Sequence, residues 1–246
     1  MIQIMAIVNL TPDSFFAPSR VRAEEAQERI RSLCTAGAEI IDLGAISTRP
    51  GAADVDLEEE WRRLEPVVRA WDAPALLSVD TTRAEIVRRV YDCAGPFLVN
   101  DISAGEDDPD MLATVGRLGL PYVAMHKRGN PRSMDALCEY PEGVVPALVD
   151  YFKDFARKAD EYGIAEWVLD PGLGFAKTVE QNWEILEKLD WLRGFDRPIL
   201  IGAADKRFTG GDTERAHRLA LKHGADILRV HDVDAAMRTL AEFAAQ

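Results

Sequence analysis

Short apolar runs recur along this chain, and each of them ends in a polar residue or is closely followed by one. The runs are rich in Val, Ile and Leu and are only a few residues long. Runs of this kind are typical of strands in a parallel sheet that is buried on both faces. Eight of them occur, at residues 4–9, 40–44, 76–80, 97–101, 121–126, 167–170, 199–202 and 227–229.

Segments of helical length separate most of these runs, and each carries an apolar stripe. Strand and helix therefore alternate about eight times in 246 residues. This alternation predicts an α/β fold of the (β/α)8 TIM-barrel type, a parallel eight-stranded barrel surrounded by helices. No Pro-, Gly- or Ser-rich linker interrupts the pattern, so residues 1–246 are expected to form a single domain. Examples of the helical segments are residues 23–36, 57–70, 84–91 and 178–191.

The polar residues that follow the runs predict one assembled catalytic face. In a TIM barrel, the active site is built from residues at the carboxyl ends of the strands. A single acid at a strand end is often only a helix N-cap. Acids at several equivalent strand ends are harder to explain in that way. The residues concerned are Asn9, Asp42, Asp80, Asn100, His126, Asp170, Lys206 and Arg229.

Two loops have a composition suited to holding a ligand. Residues 42–51 combine hydroxyl groups and an arginine with small residues, which suits an anion held by backbone amides and a guanidinium. In residues 169–175, Asp170 precedes a glycine-rich turn. A carboxylate there can accept paired N–H donors while the glycines let a ligand approach the backbone.

The formal net charge of -13 disfavours nucleic acid or an anionic membrane as a partner. An anionic substrate would then need a local basic cluster. Barrel enzymes often bind phosphate around the loops after the seventh and eighth strands, where this chain has several basic residues. For Arg229, a salt bridge to a neighbouring acid is the alternative interpretation. The candidate cluster comprises Arg49, Lys206, Arg207, Arg229 and His231.

The three cysteines are scattered and odd in number, which favours reduced thiols in a cytoplasmic protein over a disulfide framework. Residues 1–10 are apolar but short, and they lack a basic start, so a first strand is expected there and not a signal peptide. No apolar run is long enough to cross a bilayer, which predicts that the membrane is not a partner.

Seven stretches, taken together, resemble dihydropteroate synthase, a barrel enzyme family of folate biosynthesis. They occur in the order that this family has and cover nearly the whole chain. The resemblance implies a transferase that joins 6-hydroxymethyl-7,8-dihydropterin pyrophosphate to p-aminobenzoate, with Mg²⁺, and yields 7,8-dihydropteroate and pyrophosphate. It also implies a sulfonamide target and a homodimer. The matching stretches are residues 5–15, 37–51, 78–87, 100–102, 125–131, 169–178 and 224–233.

The resemblance also implies roles for individual residues. Asp170 would accept hydrogen bonds from the amino and ring N–H groups of the pterin, and Lys206 would reach its carbonyl oxygen. Met125 and Phe175 would pack near the ring, although ordinary barrel core is the alternative for both. The implied pterin-binding set is Asp80, Asn100, Met125, Asp170, Phe175 and Lys206.

The remaining implied subsites hold pyrophosphate, metal and amine. Asn9, Arg229 and His231 would bind pyrophosphate, and Asn9 would give Mg²⁺ the oxygen that a hard cation prefers. Departure of pyrophosphate would leave a pterin methylene cation for the amine to attack, and Asp13 would stabilise the developing positive charge. The implied catalytic set is Asp13, Asp80, Lys206, Arg229 and His231, and the p-aminobenzoate set is Phe15, Thr48, Arg49 and Pro50.

The chain departs from the family after the seventh strand, where the family has Ser-Arg-Lys-Ser-Phe. Residues 204–208 read Ala-Asp-Lys-Arg-Phe, so the lysine is kept while Asp205 replaces an arginine expected near the p-aminobenzoate carboxylate. That exchange changes the local charge by two units. Arg207 would compensate only if its side chain turned inward. The segment after it, residues 209–223, is shorter than usual, which bears on the expected dimer surface.

Three alternatives to the synthase therefore stay open. One is a pterin-binding paralogue that has lost or altered its use of p-aminobenzoate, which the changed loop favours. The second is a related barrel that transfers methyl groups from reduced methylfolate. Such an enzyme needs no pyrophosphate site, so the candidate pyrophosphate residues Arg229 and His231 argue against it. A non-catalytic ligand-binding or scaffold protein on the same fold is not excluded by fold alone.

Overall fold

The computed structural model describes residues 2–10, 19–46, 55–129, 134–204 and 206–245, without the side chains of residues 19–23 and 135. Six of the residues singled out above lie outside these ranges, so their predicted roles have no structural counterpart here. They are Asp13, Phe15, Thr48, Arg49, Pro50 and Asp205.

Eight parallel strands form a barrel, which confirms the predicted fold class. Their hydrogen-bonded order is β6-β5-β4-β3-β2-β1-β8-β7. A parallel bridge from Leu169 to Ile199 joins the two ends of this order and brings the sheet round on itself. The strands are β1 (Gln3–Asn9), β2 (Ile40–Gly44), β3 (Leu76–Asp80), β4 (Leu98–Asp101), β5 (Tyr122–Met125), β6 (Trp167–Asp170), β7 (Leu200–Ile201) and β8 (Ile227–Val230).

Helices follow the strands and cover the outside of the barrel. They are α1 (Ser19–Ala36), α2 (Leu57–Arg69), α3 (Ala84–Ala94), α4 (Met111–Leu118), α5 (Val144–Tyr162), α6 (Val179–Glu187), α7 (Thr213–Lys222) and α8 (Val233–Ala244). In the described ranges, none of them combines the length and the apolar character needed to cross a bilayer.

The sequence prediction of one helix over residues 178–191 is wrong at its C-terminal end. Thr178 caps the helix in a reciprocal capping box with Gln181, as the sequence suggests. The α-helix then ends at Glu187, and residues Leu189–Phe195 form a 3₁₀ helix. In a 3₁₀ helix, side chains three residues apart are aligned. The tighter winding therefore buries Leu189 and Leu192 together, which a continued α-helix would not align so closely.

A layer of apolar side chains fills the barrel interior and sets the position of the polar residues. This interior layer consists of Met5, Ile40, Leu98, Val123, Val168, Leu200 and Ile227. Side chains alternate along a strand, so the residue two positions later points to the same side. On five of these strands, the residue two positions after the interior one is either Met125 or one of the polar residues predicted to form the catalytic face. The second layer, nearer the carboxyl ends, thus contains Asp42, Asn100, Met125, Asp170 and Arg229.

Candidate active site

A cavity opens above this interior layer at the carboxyl ends of the strands. Every residue of the predicted pterin-binding set lines it, and so does Arg229. The pattern of strand ends therefore brings these side chains together as expected. The complete lining is Asp80, Asn100, Ile102, Met125, Asp170, Gly172, Leu173, Phe175, Gly202, Lys206 and Arg229.

Asp42 lies beneath the cavity and holds two of its lining residues in place. Its carboxylate is fully buried and accepts hydrogen bonds from Ser78 Oγ at 2.6 Å, Asn100 Nδ2 at 3.0 Å and Arg229 Nε at 2.8 Å. Because Asn100 Nδ2 donates its hydrogen bond to Asp42, the amide oxygen of Asn100 remains as an acceptor for a ligand. Asp42 itself is not among the lining residues, so it orients the site from below.

Arg229, on β8, pairs with both Asp42 on β2 and Asp80 at the end of β3. Its Nη2 donates to Asp80 Oδ2 at 2.9 Å, and the same atom lies 2.7 Å from Asp42 Oδ2. Burial disfavours the guanidinium cation, but Asp42 and Asp80 more than offset this and raise the pKa of Arg229. Burial is also the main reason that the pKa of Asp80 rises to about 7, against the lowering effect of Arg229. The salt-bridge interpretation of Arg229 thus holds in this structure, while the side chain also faces the cavity.

Asp170 and Lys206 form the opposite wall. The backbone N–H of Gly172 donates to Asp170 Oδ1 at 2.7 Å. Burial raises the pKa of Asp170, whereas this N–H and the charge of Lys206 lower it. Burial lowers the pKa of Lys206 to about 8, and Asp170 works in the opposite direction. Lys206 Nζ lies 4.4 Å from the centre of the Phe175 ring, within the range of a cation–π contact.

The glycine at position 172 allows this wall to pack closely. Gly172 has a φ of +66°, and a Cβ built there would lie 2.0 Å from the backbone oxygen of His126. Any side chain would therefore both strain the backbone and push the loop away from the end of β5.

The remaining predicted residues lie at or beyond the rim. Asn9 is exposed at the end of β1, and His231 is half-buried two residues after Arg229, but neither lines the cavity. Arg207 is exposed and does not line it either. Within the described ranges, the basic cluster predicted from the sequence therefore contributes Lys206 and Arg229 to the cavity.

Two polar residues at the ends of β4 and β5, Asp101 and His126, do not line the cavity. Asp101 is buried outside the cavity, where it accepts from Tyr122 Oη at 2.6 Å and from the Ser103 backbone N–H at 2.7 Å. His126 is buried with its Nδ1 3.0 Å from Lys177 Nζ. Burial and then Lys177 lower the pKa of His126 to about 2, which keeps the imidazole neutral. Both residues are therefore buried beside the cavity and not in its wall.

Sequence reasoning missed several contributors that the structure reveals. Ser78 shares a strand face with Asp80 two residues later, so strand periodicity could have found it. Lys177, Ile102 and Leu173 depend on loop conformations, for which the sequence carries no comparable signal. The cavity as a whole offers carboxylates, an amide oxygen and an ammonium beside an aromatic ring. This combination suits a flat heterocycle with adjacent hydrogen-bond donors and acceptors.

Comparison with known proteins gives consistent matches along the whole barrel. The sequence profile described as pterin binding enzyme matches residues 5–231. The chain is 38% identical to a dihydropteroate synthase of Synechocystis sp., over 94% of this chain and 86% of that protein. It is 39% identical to the folic acid synthesis protein fol1 of Pneumocystis carinii, over 94% of this chain and 34% of that protein.

Solved structures agree with the sequence matches. The Yersinia pestis dihydropteroate synthase with a sulfonamide drug superposes with a TM-score of 0.91 at 33% identity, covering 99% of this chain and 94% of that one. The Thermus thermophilus enzyme in complex with 4-aminobenzoate superposes with a TM-score of 0.86 at 35% identity, with the same coverage of both chains.

Proposed function

This chain belongs to the pterin-binding enzyme family, and from that premise we propose that it acts as a dihydropteroate synthase of folate biosynthesis. It condenses 6-hydroxymethyl-7,8-dihydropterin pyrophosphate with p-aminobenzoate and releases pyrophosphate. The observation that carries this proposal is the cavity in which Asp80, Asn100, Asp170 and Lys206 converge, within a chain that matches the family over residues 5–231.

The cavity is proposed to hold the pterin ring. Asp170 accepts from the amino and ring N–H groups, since Gly172 occupies only one of its oxygens. Lys206 donates to the ring carbonyl oxygen, and Asp80 and Asn100 complete the polar edge. Met125 and Phe175, which both line the cavity, pack near the ring faces.

Pyrophosphate is proposed to lie at the rim, near Asn9, Arg229 and His231. Mg²⁺ typically keeps few protein ligands and takes its other ligands from phosphate oxygens and water. One exposed amide oxygen at the end of β1 fits such an ion, so Asn9 would hold it. Among the described residues, no group of three or more His, Cys, Asp or Glu could hold a metal instead. When bound, Mg²⁺ would neutralise charge on the departing pyrophosphate.

Catalysis is proposed to be dissociative. The Arg229 guanidinium stabilises the leaving pyrophosphate, and the pterin methylene carbon becomes cationic before the amine attacks it. Asp13 would stabilise that cation, while Phe15, Thr48, Arg49 and Pro50 would bind p-aminobenzoate; all five lie outside the described residues. No covalent nucleophile is needed in this scheme.

The proposal is tested by product formation. Purified protein incubated with both substrates and Mg²⁺ should produce 7,8-dihydropteroate, detected by mass spectrometry, and omission of p-aminobenzoate should abolish the product. An absence of dihydropteroate at saturating concentrations of both substrates would contradict the proposed function.

A bell-shaped pH dependence is expected for kcat/KM of the pterin pyrophosphate. Asp80 accepts hydrogen bonds as a carboxylate, so activity should rise as the pH passes its pKa of about 7. Lys206 acts as a cation, so activity should fall as the pH passes its pKa of about 8. Initial rates across the neutral range, from well below the first pKa to well above the second, give the profile. The Lys206→Met variant should lose the alkaline limb, and retention of that limb would contradict the assignment.

The second candidate is a pterin-binding paralogue with lost or altered use of p-aminobenzoate. The departure at residues 204–208 favours it, and pterin binding without amine-dependent turnover would identify it. We further propose that residues 1–246 act as one domain, in a cytoplasmic homodimer. Competition between a sulfonamide and p-aminobenzoate is proposed as well.

A further inference from the structure

Lys177 is a buried lysine whose hydrogen-bond partners are all uncharged. Its side chain ends beneath the turn at residues 172–175, and the residue is only 8% exposed. Nζ donates to the backbone oxygens of Gly172 and Phe175, both at 2.9 Å, and lies 3.0 Å from Nδ1 of His126. A longer contact of 3.5 Å reaches the backbone oxygen of His126. Burying an ammonium is costly, and the hydrogen bonds to these neutral groups offset part of that cost.

We propose that Lys177 is a positioning residue that fixes the turn at residues 172–175 as the pterin-facing wall of the cavity. The inference rests on the proposed function and deepens it. The lysine does not line the cavity, so it acts on the ligand through the turn.

The hydrogen bonds of Lys177 close this turn from below. The Phe175 backbone N–H donates to the Gly172 oxygen at 3.1 Å, which defines the turn. Lys177 then binds the carbonyl groups at both ends of it. Asn182 Oδ1 accepts from the Gly174 backbone N–H at 2.7 Å and holds the turn from the side of α6. The three N–H groups of the Lys177 ammonium thus bind partners in two segments, which are the loop after β6 and the residue that follows β5.

The turn carries the groups that would meet the pterin. Gly172, Leu173 and Phe175 line the cavity, and the Gly172 N–H is the donor that orients Asp170. The Phe175 ring is also the surface on which Lys206 rests. A shift of the turn would therefore displace the aromatic ring, the carboxylate and the ammonium together, and small displacements of binding groups are costly.

The charge of Lys177 has a second effect on the same wall. Burial is the largest cause of its own lowered pKa, about 7, while the nearby Asp170 raises it. Reciprocally, Lys177 is one of the cations that lower the pKa of Asp170 against burial. The lysine thus favours the ionised Asp170 that pterin recognition requires.

The test is the affinity for 6-hydroxymethyl-7,8-dihydropterin pyrophosphate with Mg²⁺, measured by calorimetry without amine. Lys177→Met keeps an unbranched side chain, one atom shorter than lysine, and removes its donors. We expect it to weaken binding about tenfold, because two carbonyls and an imidazole lose their partner. The KM for p-aminobenzoate at saturating pterin substrate should change less than about twofold, because the turn that Lys177 positions faces the pterin and not the amine. Lys188→Met is the matched control, because Lys188 is exposed and pairs with Glu184 on the surface.

The outcomes separate a positioning role from a structural one. A folded Lys177→Met variant with wild-type affinity would overturn the inference, as would a reduced number of binding sites with an unchanged Kd. If Lys177→Met does not fold, His126→Phe removes one partner of the amine and keeps a planar aromatic ring at this position. It should weaken pterin binding about threefold, and unchanged affinity would overturn the inference. A wild-type chain that does not bind the pyrophosphate would instead overturn the proposed function, and this inference with it.

Discussion

Asp170→Asn is expected to remove nearly all synthase activity while leaving the protein folded. The asparagine keeps one acceptor oxygen, which the Gly172 N–H already uses, and turns an NH2 group toward the donors of the pterin. The asparagine NH2 and the pterin N–H groups would then face each other, and neither would have an acceptor. We therefore expect kcat/KM for the pterin pyrophosphate to fall by a factor on the order of 10³ to 10⁴. Steady-state kinetics with p-aminobenzoate held at saturation measures this loss.

The thermal stability of the Asp170→Asn variant, in contrast to its activity, is predicted not to fall. Burial raises the pKa of Asp170 above its value in the unfolded chain, so its ionisation at neutral pH costs stability in the fold. Asparagine removes that cost, and the melting temperature should stay equal or rise. Asp190→Asn, on the exposed 3₁₀ helix after α6, is the matched control and should leave activity unchanged. Near-normal activity of Asp170→Asn would place the pterin elsewhere.

Arg229→Met is expected to damage both stability and catalysis. The guanidinium neutralises Asp42 and Asp80, so its removal leaves two carboxylates close together without a cation. Breaking a buried ion pair in this way costs about 3–5 kcal/mol of unfolding free energy. Pyrophosphate would also lose its proposed cation, so turnover should fall beyond detection. Urea unfolding and initial rates test the two effects separately.

The contribution of unpaired charge can be isolated in a double variant. Adding Asp42→Asn to Arg229→Met removes one lone carboxylate and should recover part of the lost stability, but none of the activity. The exposed Arg62→Met serves as the control, because its pair with Glu59 lies on the surface and is worth less than about 1 kcal/mol. Full activity in Arg229→Met would contradict the proposed role of this residue.

The sequence was sufficient for the barrel and for the face on which the site lies. Strand periodicity explains this success, because Ile40, Leu98 and Val168 fill the interior and the residue two positions after each is polar. Alternation identifies the side of a strand but not the depth of a side chain. It therefore did not separate Asp42, which lies under the cavity, from Asp170, which lines it.

Loop geometry explains most of what could not be predicted. The role of Lys177 depends on a turn that needs Gly172 at positive φ and in contact with the His126 carbonyl. The predicted length of the helix that starts after Thr178 was wrong for a similar reason. After Glu187, burial of Leu189 and Leu192 favours a 3₁₀ helix over a continued α-helix. Such features arise from packing between segments far apart in the chain, and local patterns do not encode them.

The most direct test of synthase activity is the rate of pyrophosphate release from 6-hydroxymethyl-7,8-dihydropterin pyrophosphate with Mg²⁺, measured with and without p-aminobenzoate. A synthase predicts release that requires the amine and is lost in Asp170→Asn and Lys206→Ala. That result would also show that Asp205 is compatible with p-aminobenzoate. Tight pterin binding with no amine-dependent release would contradict the synthase and identify a pterin-binding paralogue.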